Sequence, residues 1–250
     1  MNKDATTVER GSFTDAQLDF NRPANEQIAS WLKSAILSME LVPGQMISEA
    51  EIGQIFGASR TPVREAFAQL REERLIVTWP SRGTFVSRLS VAQIKGAQFL
   101  RESLEAAVVE RLCAKGLPAQ AEAALKDNLA RQRRAVHKGD TVGFRDLDDG
   151  FHAILAQATQ FDRIGAVLTR EKAVLDRLRV LALDSTAHRG RLLEDHRQIA
   201  QAILARDATS AVAHSRQHLR RVLNTLSDLV AANHSYFDFD DATKTSQDHA

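Results

Sequence analysis

The sequence predicts a mainly α-helical chain in two parts: three helices closed by a β-hairpin, then an all-helical bundle of about six helices. Three observations carry this reading. Apolar residues recur at helical spacing through most of residues 23–232, two short β-prone runs sit together at 75–86, and nothing from Val91 to Ala232 reads as a strand. The 250 residues, 44% hydrophobic and 26% charged, suffice for two modest cores; they exclude chain-wide disorder, collagen-like repeats and a disulfide-stapled scaffold. Cys113 stands alone, so no intrachain disulfide forms and a reducing compartment fits. No apolar run approaches the ~18–20 residues of a membrane helix, and the polar start MNKDATTVERGS is no signal peptide. The expected setting is the cytoplasm, without a membrane partner.

Residues 1–21 are polar and aperiodic and read as a disordered arm. A helix follows from about Pro23 to Met39, with Ile28, Trp31, Leu32, Ala35 and Ile36 in register, and Val42-Pro43-Gly44 stops the chain there. Ser48-Glu49-Ala50-Glu51 is a capping box with Ile47 and Ile52 as its staple, and Gly57 ends the short helix it opens. Ser59 or Thr61 caps the next helix, where Pro62 is tolerated only in the first turn. Val63, Ala66, Phe67 and Leu70 give that helix one buried face. The runs 75–78 and 84–86, joined by Trp79-Pro80-Ser81-Arg82-Gly83, read as a hairpin. Three helices and a hairpin make a winged helix-turn-helix over residues 22–88. A second capping box, Ser90-Val91-Ala92-Gln93, opens the helical domain at 89–235. Its helices run roughly 91–115, 118–138, 141–158, 161–187, 189–206 and 208–232, and 236–250 is a loose tail.

Formal charge is nearly balanced at +1, but its distribution is informative. Residues 57–88 hold six arginines and three glutamates, whereas residues 1–56 are net acidic. On the helix opened by Pro62, Arg60, Arg64 and Arg71 share one stripe beside the apolar face, where a recognition helix meets the major groove. An arginine fork bonds guanine O6 and N7 together, and Thr61 with the first-turn amides can hold a phosphate. Gly83 lets backbone approach a groove wall at the hairpin tip, with Arg82 beside it.

The run from VPG (42–44) and SE (48–49) through SRTPVREA (59–66) to RGTFV (82–86) resembles the DNA-binding domain of GntR-type transcriptional regulators. The resemblance covers about residues 23–88 without gaps. It implies a homodimer on a palindromic operator, with Ser59, Arg60 and Arg64 at the DNA, Thr61 on phosphate, and Arg82 and Gly83 at a wing tip in the minor groove. Ala50 stands where many relatives carry a further DNA-contacting Arg or Lys.

A second constellation points to a metal. Asp148 and His152 are i,i+4 beside the apolar stripe Phe144, Leu147, Phe151 and Ile154. His196 is in register with Leu192, Ile199 and Ile203, and His218 lies one turn before Val222 beside the last helix's apolar seam. Such groups on three helices can converge inside a bundle, where a cation offsets the cost of a buried aspartate; each histidine can equally be a hydrogen-bonded core residue. Imidazole suits Zn, Ni, Fe or Cu, and carboxylate also accepts Mn. His137, His188, His234 and His249 fall near helix ends or tails and read as solvated.

Residues 91–232 resemble the FCD ligand-binding domain of the FadR-type GntR subfamily, through Arg101 and Glu105, D-x-x-F-H at 148–152, E-D-H-R ending at Arg197, and H-L at 218–219. The resemblance implies that Asp148, His152, His196 and His218 hold a divalent metal, Zn first and Ni, Mn or Fe next. It favours His218 over His214, one turn earlier, and implies that Arg101 reaches the carboxylate of a small effector; as i,i+4 neighbours, Arg101 and Glu105 can instead form a surface pair. The expectation is a sequence-specific regulator, acting as a repressor, controlled by a small organic acid at or near the metal. One alternative is a metalloregulator that senses the metal itself, and another is a metal-dependent hydrolase or lyase. No phosphate-binding glycine loop, G-x-S-x-G elbow or Cys-x-x-Cys supports catalysis.

Overall fold

The computed structural model describes residues 18–182 and 186–239. The chain divides into two compact units: one ends at Val91 and regains the chain from Asn233, and the other spans Ala92–Ala232. In the first unit, α1 (Ala24–Leu37), α2 (Glu49–Phe56) and α3 (Arg60–Glu72) enclose a core to which Ile28, Leu32, Ile36, Val63, Phe67 and Leu70 each contribute fully buried side chains. Trp31, at the edge of that core, meets Phe56 edge-on at 5.3 Å. Ser48 caps α2 by accepting the Glu51 amide, and Gly57 closes it in the left-handed conformation.

The wing has three strands where the sequence shows two. β2 (Ile76–Trp79) and β3 (Gly83–Val86) pair antiparallel, and β1 (Met46–Ile47) joins the far side of β3. Two residues are too short for an alternating pattern, so β1 is invisible before folding. The turn is also tighter than the expected 79–83 loop. Trp79 pairs with Gly83, leaving Pro80, Ser81 and Arg82 to turn the chain, with φ of +61° at Ser81 and +110° at Gly83.

Both ends of the first unit differ from the sequence reading. The arm expected over 1–21 lies outside the described residues up to 17, but Leu18 packs on the core, and Gln27 accepts the Asp19 amide and donates to its carbonyl. In the expected tail, Phe237–Asp238 form β5, parallel to β4 (Leu89–Ser90), with Phe237 buried. A two-residue bridge between segments about 150 residues apart has no local signature. Residues 240–250 lie outside the described residues.

The helical unit contains α4 (Val91–Lys115), α5 (Ala119–Lys138), α6 (Thr141–Ala158), α7 (Asp162–Ala182), α8 (Thr186–Leu204), α9 (Ala208–Asn224) and α10 (Leu226–Ala232). The α5–α6 and α8–α9 hairpins pack through a core that includes Val109, Leu125, Phe151, Leu155, Ile199 and Ile203. Asp140 caps α6 and Asp207 caps α9, each accepting the amide three residues on. The last helix, expected unbroken over 208–232, stops at Thr225, whose hydroxyl donates to the Val222 carbonyl at 3.1 Å, and α10 restarts after it. Asn224 and Thr225 are weak helix formers, so the break costs little. No described helix is long and apolar enough to cross a membrane.

Phe67 fills the first unit's core with no exposed surface. Phe67→Ala is expected to destabilise that unit by about 3–5 kcal/mol, read as a lowered unfolding midpoint in urea.

Candidate metal centre and nucleic-acid interface

In the helical unit α6 brings Asp148 and His152 inward, α8 brings His196 and α9 brings His218. One ligand atom from each lies within 4.8 Å of every other. His196 Nε2 is 3.2 Å from His218 Nε2, which is 3.2 Å from His152 Nε2, and Asp148 Oδ1 is 3.4 Å from His196 Nε2. The ring of His196 stacks on Phe151 at 4.0 Å and has no exposed surface. His214 is not in the cluster.

The outer nitrogens set the tautomers. Asn128 Nδ2 donates to the Leu147 carbonyl at 2.9 Å; its Oδ1 accepts from Gln132 Nε2 at 2.7 Å; Gln132 Oε1 therefore accepts from His196 Nδ1 at 2.8 Å. The chain starts at a carbonyl that can only accept, so every later role follows. His152 Nδ1 donates to Glu105 Oε2 at 2.5 Å, and His218 Nδ1 lies 3.5 Å from Asp195 Oδ2. With protons on the Nδ1 atoms of His152 and His196, their Nε2 lone pairs turn inward toward His218 Nε2 and a carboxylate oxygen. Burial pushes His196 and His218 below the usual imidazole range, which disfavours filling that space with protons. A divalent cation fits this donor set, and the outer carboxylates and amide are the partners that orient ligating histidines.

Cations hold the acidic members ionised. Burial opposes the charge on Glu105, but Arg101 and His152 outweigh it and hold the carboxyl below its ordinary range. Asp148 behaves likewise, with Arg179 and then the histidines overcoming desolvation. Arg179 donates to Asp148 Oδ2, leaving Oδ1 to the cluster, and also to Asp149 at 2.8 Å. Burial pushes the Asp195 carboxyl up, but the neighbouring His218 and the hydrogen bonds from Arg221 outweigh it and hold it at about 2.

Beside the cluster a cavity of about 50 Å³ is lined by Arg101, Asp148, His152, Arg179, His218 and Arg221. Arg101 is buried, and its Nε donates to Glu105 Oε1 at 2.9 Å, so this pair is internal rather than on the surface. His188, read from sequence as solvated, is partly buried on the cavity wall, because α8 begins at Thr186 and His188 falls within its first turn.

Several supporting residues escaped the sequence reading. Asn128 and Gln132 had a visible signal: the buried stripe Leu125, Asn128, Gln132, Ala135 on α5 holds two amides where apolar residues belong. Asp195 and Arg179 had none, since their partners lie on other helices. Glu105 was visible only as a neighbour of Arg101.

In the first unit, Ser59, Arg60, Thr61 and Arg64 are all exposed at and after the start of α3, and Arg82 and Gly83 are exposed at the hairpin tip. Ser59 precedes α3 in extended conformation without a side-chain cap bond. Arg71 continues the stripe, but its Nη1 reaches Thr78 Oγ1 on β2 at 3.5 Å.

Removing the Glu105 carboxylate strands Arg101 in the interior. Glu105→Ala is expected to cost about 3–5 kcal/mol of unfolding free energy in metal-free protein, measured by denaturant titration.

Comparison with known proteins identifies both units. Residues 24–86 match the family of bacterial regulatory proteins called gntR, and residues 98–221 match the FCD domain. The chain is 32% identical to the HTH-type transcriptional repressor RspR of Escherichia coli over 89% of this chain and 97% of that protein. It is 35% identical to an HTH-type transcriptional regulator from an unstable DNA locus of Streptomyces ambofaciens, over 85% of this chain and 89% of that one. Its fold matches a GntR regulator from a Rhodococcus species with a TM-score of 0.66 at 23% identity, covering 83% of this chain and 98% of the other. It also matches E. coli McbR/YncC with a TM-score of 0.67 at 19% identity, covering 82% and 97%. The matched family and the relatives from E. coli (RspR) and S. ambofaciens are transcriptional regulators, not hydrolases or lyases. The chain belongs to the GntR family of DNA-binding transcriptional regulators, with an FCD domain as its C-terminal module.

Proposed function

We propose that this regulator binds a palindromic operator as a homodimer and represses from it, and that a small carboxylate seated beside a divalent metal ion in the FCD domain controls that binding. The observation that carries the metal half is the convergence of three Nε2 atoms and Asp148 Oδ1, with each outer imidazole nitrogen facing a carboxylate or amide oxygen. Asp148, His152, His196 and His218 would hold the ion, Zn first and Ni, Mn or Fe next. Bound there, it would act as a Lewis acid toward a carboxylate oxygen. Arg101, on the wall of the adjoining cavity, supplies a fork that suits the same group, with Glu105 holding the guanidinium in place. Repression is supported by the name of the E. coli relative RspR.

On DNA, Arg60 and Arg64 would read base edges in the major groove, Ser59 and Thr61 would hold phosphate, and Arg82 and Gly83 would enter the minor groove. An effector that favours one conformational state over another by ~1.4 kcal/mol changes operator affinity tenfold. A saturating carboxylate that leaves operator affinity unchanged would count against effector control.

Two outcomes are expected. Protein purified without a chelating tag carries about one divalent ion per chain by elemental analysis, and His196→Ala loses it; full metal content in the variant would mean that other residues bind the ion. Arg64→Ala weakens operator binding by about 1–3 kcal/mol and relaxes discrimination at one base pair, measured by titrating operators with single-base changes; an unchanged preference would remove Arg64 from base reading.

A further inference from the structure

The two faces of the wing differ in kind. Cross-strand partners share a face, so the register puts Ile47, Ile76 and Val86 on one side and Met46, Val77, Trp79, Gly83 and Phe85 on the other. The first side packs into the core of the three helices. Toward the tip it ends in the hydroxyls of Thr78 and Thr84, 2.9 Å apart, with Arg71 reaching Thr78. The outer side offers hydrocarbon instead: Met46 is 44% and Trp79 47% exposed, and Phe85 is partly buried. These groups form one shelf. A Cβ added to Gly83 would lie 3.5 Å from Met46 Sδ and 4.0 Å from Phe85 Cε2, and Trp79 stands directly opposite Gly83 on β2. Single exposed apolar side chains are ordinary, but a contiguous shelf that runs up to a functional tip marks a contact surface.

The surroundings say what the shelf contacts. It is continuous with Arg82 and Gly83, and residues 57–88 carry six arginines against three glutamates, so the partner is a polyanion. A hairpin tip entering a minor groove about 6 Å wide meets both walls of that groove. Those walls are phosphate at the rim and the C–H surfaces of deoxyribose beneath it. We propose that the outer face of the wing is a DNA-contacting surface in its own right, with the Trp79 indole packed on the deoxyriboses of one groove wall. The inference rests on the reading of Arg82 and Gly83 at the minor groove and adds to it a residue that no charge pattern marks. Pro80, Ser81 and Arg82 make the turn and Trp79 flanks it, so the indole meets the wall of the groove and not its floor. Such a contact is apolar. It reads no base and releases no counterion, which separates it from every arginine contact.

The chain has two tryptophans, so Trp31→Phe leaves Trp79 as the sole indole reporter. On titration with a duplex that the protein selects from a random pool, Trp79 emission is expected to move to shorter wavelength and its quenching by acrylamide to fall several-fold. Trp79→Ala should weaken binding to that duplex about tenfold, equally across single-base variants, with the slope of affinity against salt unchanged. Trp79→Phe should retain most of the affinity, whereas Arg82→Ala, which removes a charge, should reduce the salt slope by about one. Failure to select any duplex would overturn the DNA reading and this contact together. Binding that leaves Trp79 fully open to acrylamide would overturn the contact alone. Strong quenching of the indole by the duplex itself would put it among bases and overturn the sugar-wall assignment. A salt slope that falls in Trp79→Ala would mean that the substitution distorts the wing, and would overturn the apolar role.

Discussion

Three imidazoles pressed together with their Nε2 atoms inward are the constraint around which the helical unit is organised. Nε2 atoms 3.2 Å apart beside a carboxylate oxygen repel when all three are unprotonated, and burial resists protonating His196 and His218. The arrangement persists because each ring is gripped from behind. Glu105 holds His152, Gln132 holds His196, Asp195 faces His218, and Phe151 stacks under His196. Gln132 is in turn fixed through Asn128 by a backbone carbonyl of α6, so the register of the α5–α6 hairpin decides the tautomer of a histidine on α8.

The charges around this centre nearly cancel one another locally. Arg101 answers Glu105, Arg221 answers Asp195, and Arg179 answers Asp148 and Asp149 while Lys172 bridges Asp149 and Asp176. Buried ion pairs are weak contributors to net stability, because desolvation consumes most of their attraction. Their value here is positional. They keep the carboxylates ionised, as ligation and hydrogen-bond acceptance require, and they place three guanidinium groups around one small cavity. A carboxylate entering that cavity would meet an environment already built for negative charge.

The first unit solves a different problem. The apolar faces of its three helices turn inward, leaving the basic stripe of α3 and the hairpin tip exposed. Among the described residues Arg60, Arg64 and Arg82 have no hydrogen-bond or ion-pair partner, whereas Arg71 is drawn toward Thr78. A site for a polyanion needs available cations on a rigid frame, and a site for a small anion needs paired cations in a dry one. On the proposed reading the two units divide along that line.

The sequence by itself determined the helices, the hairpin, the apolar faces and the inward placement of one aspartate and three histidines, because each announces itself within one or two helical turns. Spacing places Asp148, His152, His196 and His218 at the inner edges of their helices, and capping residues mark where the chain must begin again. Tertiary structure alone decided what stands behind those side chains. Asp195 and Arg179 become partners of His218 and Asp148 only when separate helices cross, and β1 and β5 exist only because β3 and β4 present them with edges. Hydrogen bonds and ion pairs between distant segments depend on relative position to within an ångström or so, and local periodicity carries no such information.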